Sequence, residues 1–312
     1  MSGKRQMISI IAPCYNEEGN VVELHREIKA VCREAGYRYE IIFVDDGSID
    51  GSFEVIRMLK ASSGARVRAF RFSRNYGKSA ALSVGIAHAQ GDIIVTMDAD
   101  LQDDPAAIPD LLKKIDEGYD LVSGWKKIRH DPASFTIPSR IWNWATAIVA
   151  GVKLHDFNCG LKAYRSAAAK NLEIYGERHR YLPVLVHWDG WRVAEIPVTH
   201  HERRFGKSKY GFSKFAKGFL DLLTLLFLRR YLRSPLHFFG LLGFLLMAAG
   251  AAVLGYFGVQ WLVTGAMRIR PLTLLSVAAV IMGIQFLSFG FLAEMLAHVS
   301  ARPRYNIRET IE

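Results

Sequence analysis

Ile93-Ile-Val-Thr-Met-Asp-Ala-Asp-Leu-Gln-Asp-Asp-Pro105 joins a short, β-branched apolar run to a knot of acidic residues and then to a proline. The run reads as a buried strand, and Pro105 to Glu117 carries helical spacing behind it. The same unit repeats outward from this stretch. Ile8 to Ala12, Glu40 to Val44, Val67 to Phe72 and Leu121 to Ser123 read as further strands, with helices at Asn20 to Ala35, Gly51 to Ala61 and Lys78 to Ala89 between them. Such βαβα alternation predicts an α/β fold with a mostly parallel sheet covered by helices on both faces. Ligands in such folds sit at the carboxyl ends of the strands.

Polar residues gather at those ends. The first strand runs into Pro13, Tyr15, Asn16, Glu17 and Glu18, the second into Asp45, Asp46, Gly47, Ser48 and Asp50, and the fourth into Asp98, Asp100, Gln102, Asp103 and Asp104. One such loop is ordinary turn and helix-capping chemistry. Three on one edge would repel each other unless a cation or hydrogen-bond donors balanced them. Hard oxygen ligands suit Mg²⁺ or Mn²⁺, which bind through one or two carboxylates and take the rest of their shell from water and phosphates. The expected substrate is therefore a pyrophosphate compound.

At these loops the chain resembles a known family. Pro13-Cys-Tyr-Asn-Glu-Glu18, Val44-Asp-Asp-Gly-Ser-Ile-Asp-Gly51, Ser73-Arg-Asn-Tyr-Gly-Lys-Ser79 and Met97-Asp-Ala-Asp-Leu-Gln-Asp-Asp-Pro105 are similar to motifs of the inverting family 2 glycosyltransferases. The nearest branch is the dolichyl-phosphate mannosyltransferase type, with bacterial enzymes that load sugars onto undecaprenyl phosphate. The resemblance implies a Rossmann-like GT-A domain and a nucleotide-sugar donor of the GDP-mannose or UDP-glucose type. It also implies a polyprenyl phosphate acceptor and a β-linked product. Pro13, Tyr15, Glu17, Val44 and Asp46 would hold the nucleoside, with Lys78 and Ala99 also at the donor. Asp98 and Asp100 match the Asp-x-Asp metal motif, and Gln102 matches a position that approaches the metal in some members. Lys126, Arg203 and Lys209 match basic positions that would grip the diphosphate, Lys126 standing where arginine is commoner and so lacking its bidentate fork. Asp156-Phe-Asn-Cys-Gly-Leu-Lys-Ala-Tyr-Arg165 occupies the family's acceptor-side loop, which makes Asp156, Asn158 and Arg165, with Arg180, candidates for positioning the acceptor phosphate.

The second half changes character. No Lys, Arg, Asp or Glu occurs between Arg233 and Arg268, or between Arg270 and Glu294. Leu236 to Val263 and Leu272 to Leu292 are each long enough to cross a bilayer, so two transmembrane helices are expected. Phe212 to Leu232 mixes large apolar residues with Lys214, Lys217, Arg229 and Arg230, which suits a helix lying in the headgroup layer. The domain reading is a catalytic domain over 1–211, an interfacial helix over 212–233, two spans over 234–298 and a tail over 299–312. The net charge of +10 concentrates beside the spans. By the positive-inside tendency this puts the catalytic domain and both termini in the cytoplasm, at the inner face of the cytoplasmic membrane. Charge that follows the membrane boundary argues against a nucleic-acid partner. No apolar leader with a cleavage site precedes the first strand, and the three cysteines fit neither a disulfide framework nor paired zinc spacing. The small residues Gly250, Ala251, Ala252 and Gly255 in the first span would permit a homo-oligomer.

Other readings are weaker. Gly77-Lys-Ser79 and Gly206-Lys-Ser208 lack the earlier glycine of a phosphate-binding loop, having Phe72 and His201 there instead. A processive polysaccharide synthase would carry a Gln-x-x-Arg-Trp motif, absent here. A non-catalytic nucleotide-sugar-binding membrane protein would be free to lose the carboxylates and basic residues that this chain retains. A transferase acting on a glycan or lipid hydroxyl would need a general base, whereas a phosphate oxygen is already anionic at neutral pH.

Overall fold

The computed structural model describes residues 6–127, 143–148, 150–174, 176, 178–201, 234–265 and 271–300, divided between two units that meet in sequence at residue 210. The first unit is built on β1 (Met7–Cys14), β2 (Arg38–Asp45), β3 (Val67–Arg71), β4 (Ile93–Thr96), β5 (Leu121–Lys126), β6 (Lys162–Arg165) and β7 (Val193–Val198). Helices α1 (Val21–Glu34), α2 (Ser52–Ser63), α3 (Lys78–His88) and α4 (Ile108–Asp116) fill the early connections. The seven strands form one sheet in the order β3-β2-β1-β4-β6-β5-β7.

Period-two alternation within each strand builds a core on either face. Ile10 of β1 packs with Val21, Leu24 and Ile28 of α1 and with Leu111 and Ile115 of α4. Its neighbour Ile11 points the other way, into Leu82 and Ile86 of α3 and Leu182 and Val186 of the helix Leu182–Trp188. Full burial of one such isoleucine contributes roughly 1.5–3 kcal/mol. The central strands are buried on both faces and so read as unbroken apolar runs, as parallel strands do.

The parallel frame breaks once. β6 lies antiparallel to both β4 and β5, with Thr96 opposite Lys162 and Ile93 opposite Arg165. The segment Asp156 to Arg165, read from sequence as a loop throughout, therefore ends in a strand. It carries the chain from the carboxyl end of β4 back to the opposite end of the sheet. β7 pairs in parallel with β5 at the margin of the sheet, where Pro197 is tolerated because an edge strand leaves one side without ladder bonds.

In the second unit, helices Pro235–Thr264 and Pro271–Ser300 are each long and apolar enough to cross a membrane. They pack on each other through small residues at heptad spacing. A Cβ on Gly243 would lie 2.6 Å from the Gly283 carbonyl, and one on Gly250 would lie 2.7 Å from that of Ser276. Gly250 is thus taken up by the partner helix of its own chain, while Ala251, Ala252 and Gly255 remain exposed. The Glu294 carboxylate accepts a hydrogen bond from the Leu236 N–H at 3.2 Å, satisfying one of the donors that the start of a helix leaves open. The expected interfacial helix over 212–233 lies outside the described residues; of the tail expected over 299–312, residues 299 and 300 continue the second helix and the rest lies outside the described residues.

Candidate active site

The first two loops are stitched together by hydrogen bonds. Asn16 takes a left-handed φ of +57°, and its N–H donates to Ser48 Oγ at 2.9 Å while its Oδ1 accepts from the Ile49 N–H at 3.0 Å. Asp50 accepts from the Ser52 N–H and hydroxyl at the start of α2, and Glu18 accepts from Gly51 N–H. Glu18 and Asp50 therefore shape the loops.

Asp46 has a different task. Its carboxylate accepts from the N–H groups of Tyr76 at 2.7 Å and Gly77 at 2.9 Å, fixing the turn that enters α3. Gly77 has φ +92°, a conformation that side chains resist, and Lys78 follows as the first residue of the helix. Burial pushes the Asp46 carboxyl up from its ordinary value, and the two backbone donors pull it partly back. The nucleoside candidates Pro13, Tyr15 and Glu17 line these loops, partly exposed. Val44 does not join them through its side chain, which is fully buried against α3 in the core.

The loop after β4 carries the acidic cluster. Leu101 is buried at φ +59°, so the chain turns sharply between Asp100 and Gln102, a conformation that costs a non-glycine residue roughly 1–2 kcal/mol. The Gln102 N–H donates to Asp100 Oδ1 at 3.3 Å. Lys78 pairs with Asp98, and Lys126 pairs with Asp103 at 3.1 Å. Burial raises the Asp98 carboxyl, but Lys78, Lys126 and Lys162 together outweigh it and hold the group at about 2. Burial likewise lowers the Lys126 ammonium, and Asp103 and its acidic neighbours outweigh that and raise it.

Gly160 lets this cluster close. Its carbonyl accepts from Thr96 Oγ1 at 3.0 Å, and a Cβ there would lie 2.6 Å from Asp103 Oδ2 and 2.7 Å from Asp98 Cγ. Lys162 is fully buried beside it, donates to the Cys159 carbonyl, and is lowered by that burial. Neither residue stood out in the sequence, because a four-residue strand bounded by Lys162 and Arg165 shows no alternation. Ser79 carries no signal of its own in the sequence, and His179, like His200 and His201, lacks companions at metal-ligand spacing and reads as structural or interfacial. The His179 N–H donates to Ser79 Oγ at 3.2 Å and its Nδ1 lies 3.0 Å from the same oxygen, joining the start of α3 to the turn that carries Arg180. Burial, then Lys78 and Arg180, push the His179 imidazole down to about 3. His200 and His201 border the acidic loop, at 3.1 Å from the Gln102 carbonyl and 3.4 Å from Asp104 respectively.

The acceptor-side candidates divide. Asp156 is buried and accepts from the Asn158 N–H at 3.1 Å, while the Asn158 side chain is exposed. Arg165 is not brought to the site: β6 runs antiparallel, so it lies three residues, roughly 10 Å, below the level of Lys162. There its guanidinium bonds the Ile115 carbonyl at 2.9 Å and pairs with Asp120 at 3.6 Å. Arg203 and Lys209 lie outside the described residues.

Residues 9–172 match the glycosyl transferase family 2 profile. The chain belongs to that family. A dodecaprenyl-phosphate galacturonate synthase of Rhizobium johnstonii is 37% identical to this transferase over 98% of the chain and 93% of its own length. An undecaprenyl-phosphate 4-deoxy-4-formamido-L-arabinose transferase of Edwardsiella ictaluri is also 37% identical, over 98% of this chain and 94% of its own. Among solved structures, glucosyl-3-phosphoglycerate synthase of Mycobacterium tuberculosis with Mn²⁺ and UDP-glucose aligns at a TM-score of 0.56 and 18% identity, over 72% of this chain and 79% of that one. A mannosyltransferase of Pyrobaculum calidifontis with GDP-Man and Mn²⁺ aligns at 0.52 and 18% identity, over 96% and 76%. The family 2 transferase thus has the GT-A fold expected of it, with β6 as the antiparallel member of its mixed sheet.

Proposed function

We propose that this glycosyltransferase moves a sugar, a hexose in the first instance, from a nucleotide-sugar donor to a polyprenyl phosphate at the cytoplasmic face of the membrane, with inversion to a β-linked product. The observation that carries the reading is the pairing of the acidic loop after β4 with Lys78 and Lys126, with the buried Lys162 close beside Asp98. The names of the two relatives supply the acceptor class, and the two apolar helices give the chain a means of reaching a lipid.

Each group has a derivable task. Asp46 and the loop bearing Tyr15 and Glu17 receive the nucleoside. Asp98 and Asp100, with Gln102 beside them, offer oxygen donors of the kind Mg²⁺ or Mn²⁺ takes. Among the described residues no group of three His, Cys, Asp or Glu is placed to hold a metal ion by itself, so an ion bound here would have to take the rest of its shell from water and phosphate. Such an ion, when bound, would stabilise negative charge on the departing diphosphate. Lys126, and Arg203 and Lys209 by their place in the sequence, would add positive charge there. The acceptor oxygen needs no base, so the protein has only to bring two anions together and neutralise them. The basic residues around the spans favour cytoplasmic termini.

The test is transfer from a panel of radiolabelled UDP- and GDP-linked sugars, uronates and pentoses included, to undecaprenyl phosphate by the purified full chain in detergent. Mn²⁺ or Mg²⁺ and a chelator form the arms. Metal-dependent formation of a β-linked lipid-phosphate sugar is the expected result. Retention of the donor's anomeric configuration, an α-linked product from an α-linked donor, would overturn single displacement, and transfer undiminished by chelator would remove the metal.

A further inference from the structure

Among the described residues two ammonium–carboxylate pairs serve the acidic loop, and they differ in access. Lys126 and Asp103 are sealed, with side chains 16% and 1% exposed. Lys78 and Asp98 are packed closely enough to be desolvated, yet at 32% and 30% exposed they keep a face towards solvent from which an ion could approach the carboxylate. Lys78 is held from behind. Gly77 before it donates to the Asp46 carboxylate, and Ser79 after it is bonded to His179. Its ammonium therefore reaches Asp98 from a fixed helix start, one residue after the Gly77 N–H that bonds Asp46 of the loop proposed to receive the nucleoside.

A cation next to Asp98 cannot share that carboxylate with an ammonium in contact without strong like-charge repulsion. The donor's diphosphate carries charge enough to relieve this. We propose that Lys78 is the resident counter-ion of Asp98 and makes loading of the divalent metal depend on the nucleotide diphosphate. With no nucleotide present the ammonium competes with the metal for the carboxylate. Once the nucleotide is bound, its diphosphate oxygens would draw the ammonium away and leave the Asp98 carboxylate open to a divalent ion. The inference rests on the donor site proposed above and adds an order of assembly to it. In this role Lys78 is a positioning residue, acting through Asp98.

The test is a titration of the full chain in detergent with Mn²⁺, following free Mn²⁺ by electron paramagnetic resonance, alone and with UDP or GDP. Wild type should bind Mn²⁺ weakly alone and more tightly with one of the diphosphates. Lys78→Met should bind Mn²⁺ alone about tenfold more tightly than wild type, and the further gain from diphosphate should shrink. Lys78→Arg, which keeps the charge, should behave as wild type does. Lys78→Gln provides a second neutral variant, with thermal melts to confirm that each is folded. Mn²⁺ binding by both neutral variants no tighter than wild type would overturn the counter-ion role while leaving the donor site standing. Absence of Mn²⁺ binding by wild type with either diphosphate would overturn the donor site and this inference together.

Discussion

Gly160→Ala is the perturbation that most directly probes the closed cluster. The added methyl would lie 2.6 Å from Asp103 Oδ2 and 2.7 Å from Asp98 Cγ, whereas ordinary contact begins near 3.4 Å, so the carboxylates must retreat by about 0.7–0.8 Å. They cannot do so freely, because Lys126 holds Asp103, Lys78 holds Asp98, and the Gly160 carbonyl is tied to Thr96. Overpacking of this kind destabilises by roughly 1–3 kcal/mol, and the low end is expected because the displaced atoms are side-chain ends. A shift approaching 1 Å in a group that positions reactants can lower turnover about a hundredfold. The assay compares kcat/KM for sugar transfer with the thermal midpoint of the same preparation. A loss of roughly 30- to 100-fold in activity alongside a modest fall in stability is expected. Wild-type kcat/KM in a folded Gly160→Ala protein would show that the cluster need not be closed for transfer, and the geometric reasoning would fail.

Three further outcomes follow from the same geometry. Asp100→Asn should abolish nearly all turnover while the protein still folds and inserts into membranes; full activity would remove Asp100 from the metal proposal. Arg165→Ala should leave transfer kinetics nearly unchanged and lower stability by about 0.2–1 kcal/mol, since its pairing with Asp120 is partly exposed and lies at the far end of the sheet; a large loss of activity at normal stability would return Arg165 to the site. His179 titrates near 6.5 when unfolded and at about 3 when folded, so the unfolded chain binds the extra proton first as pH falls. Its contribution to stability is complete above pH 6.5 and is lost on descending towards pH 3, at no more than about 1.4 kcal/mol per pH unit. Melting wild type and His179→Gln at pH 7 and pH 5 checks this: wild type should lose more stability between the two, and equal losses would refute it.

The sequence by itself determined what local pattern can encode. β-branched runs separated by amphipathic segments specify strands and helices, and so a mostly parallel sheet with Asp46, Asp98 and Asp100 on one edge. Charge-free stretches of bilayer length specify the two apolar helices, because neither patterning nor composition there needs knowledge of a distant partner. What only the tertiary structure decided depends on pairings between residues far apart in the chain. β6 is four residues long and enters antiparallel between β4 and β5, where Ala163 and Tyr164 are buried, a direction that so short a segment cannot encode locally. That one reversal of direction places Lys162 and Gly160 at the acidic cluster and removes Arg165 from it. The division of acidic residues was equally hidden: Glu18, Asp50 and Asp98 are all carboxylates in strand-end loops, and only the donors that reach them separate two loop-shaping carboxylates from one paired with a lysine.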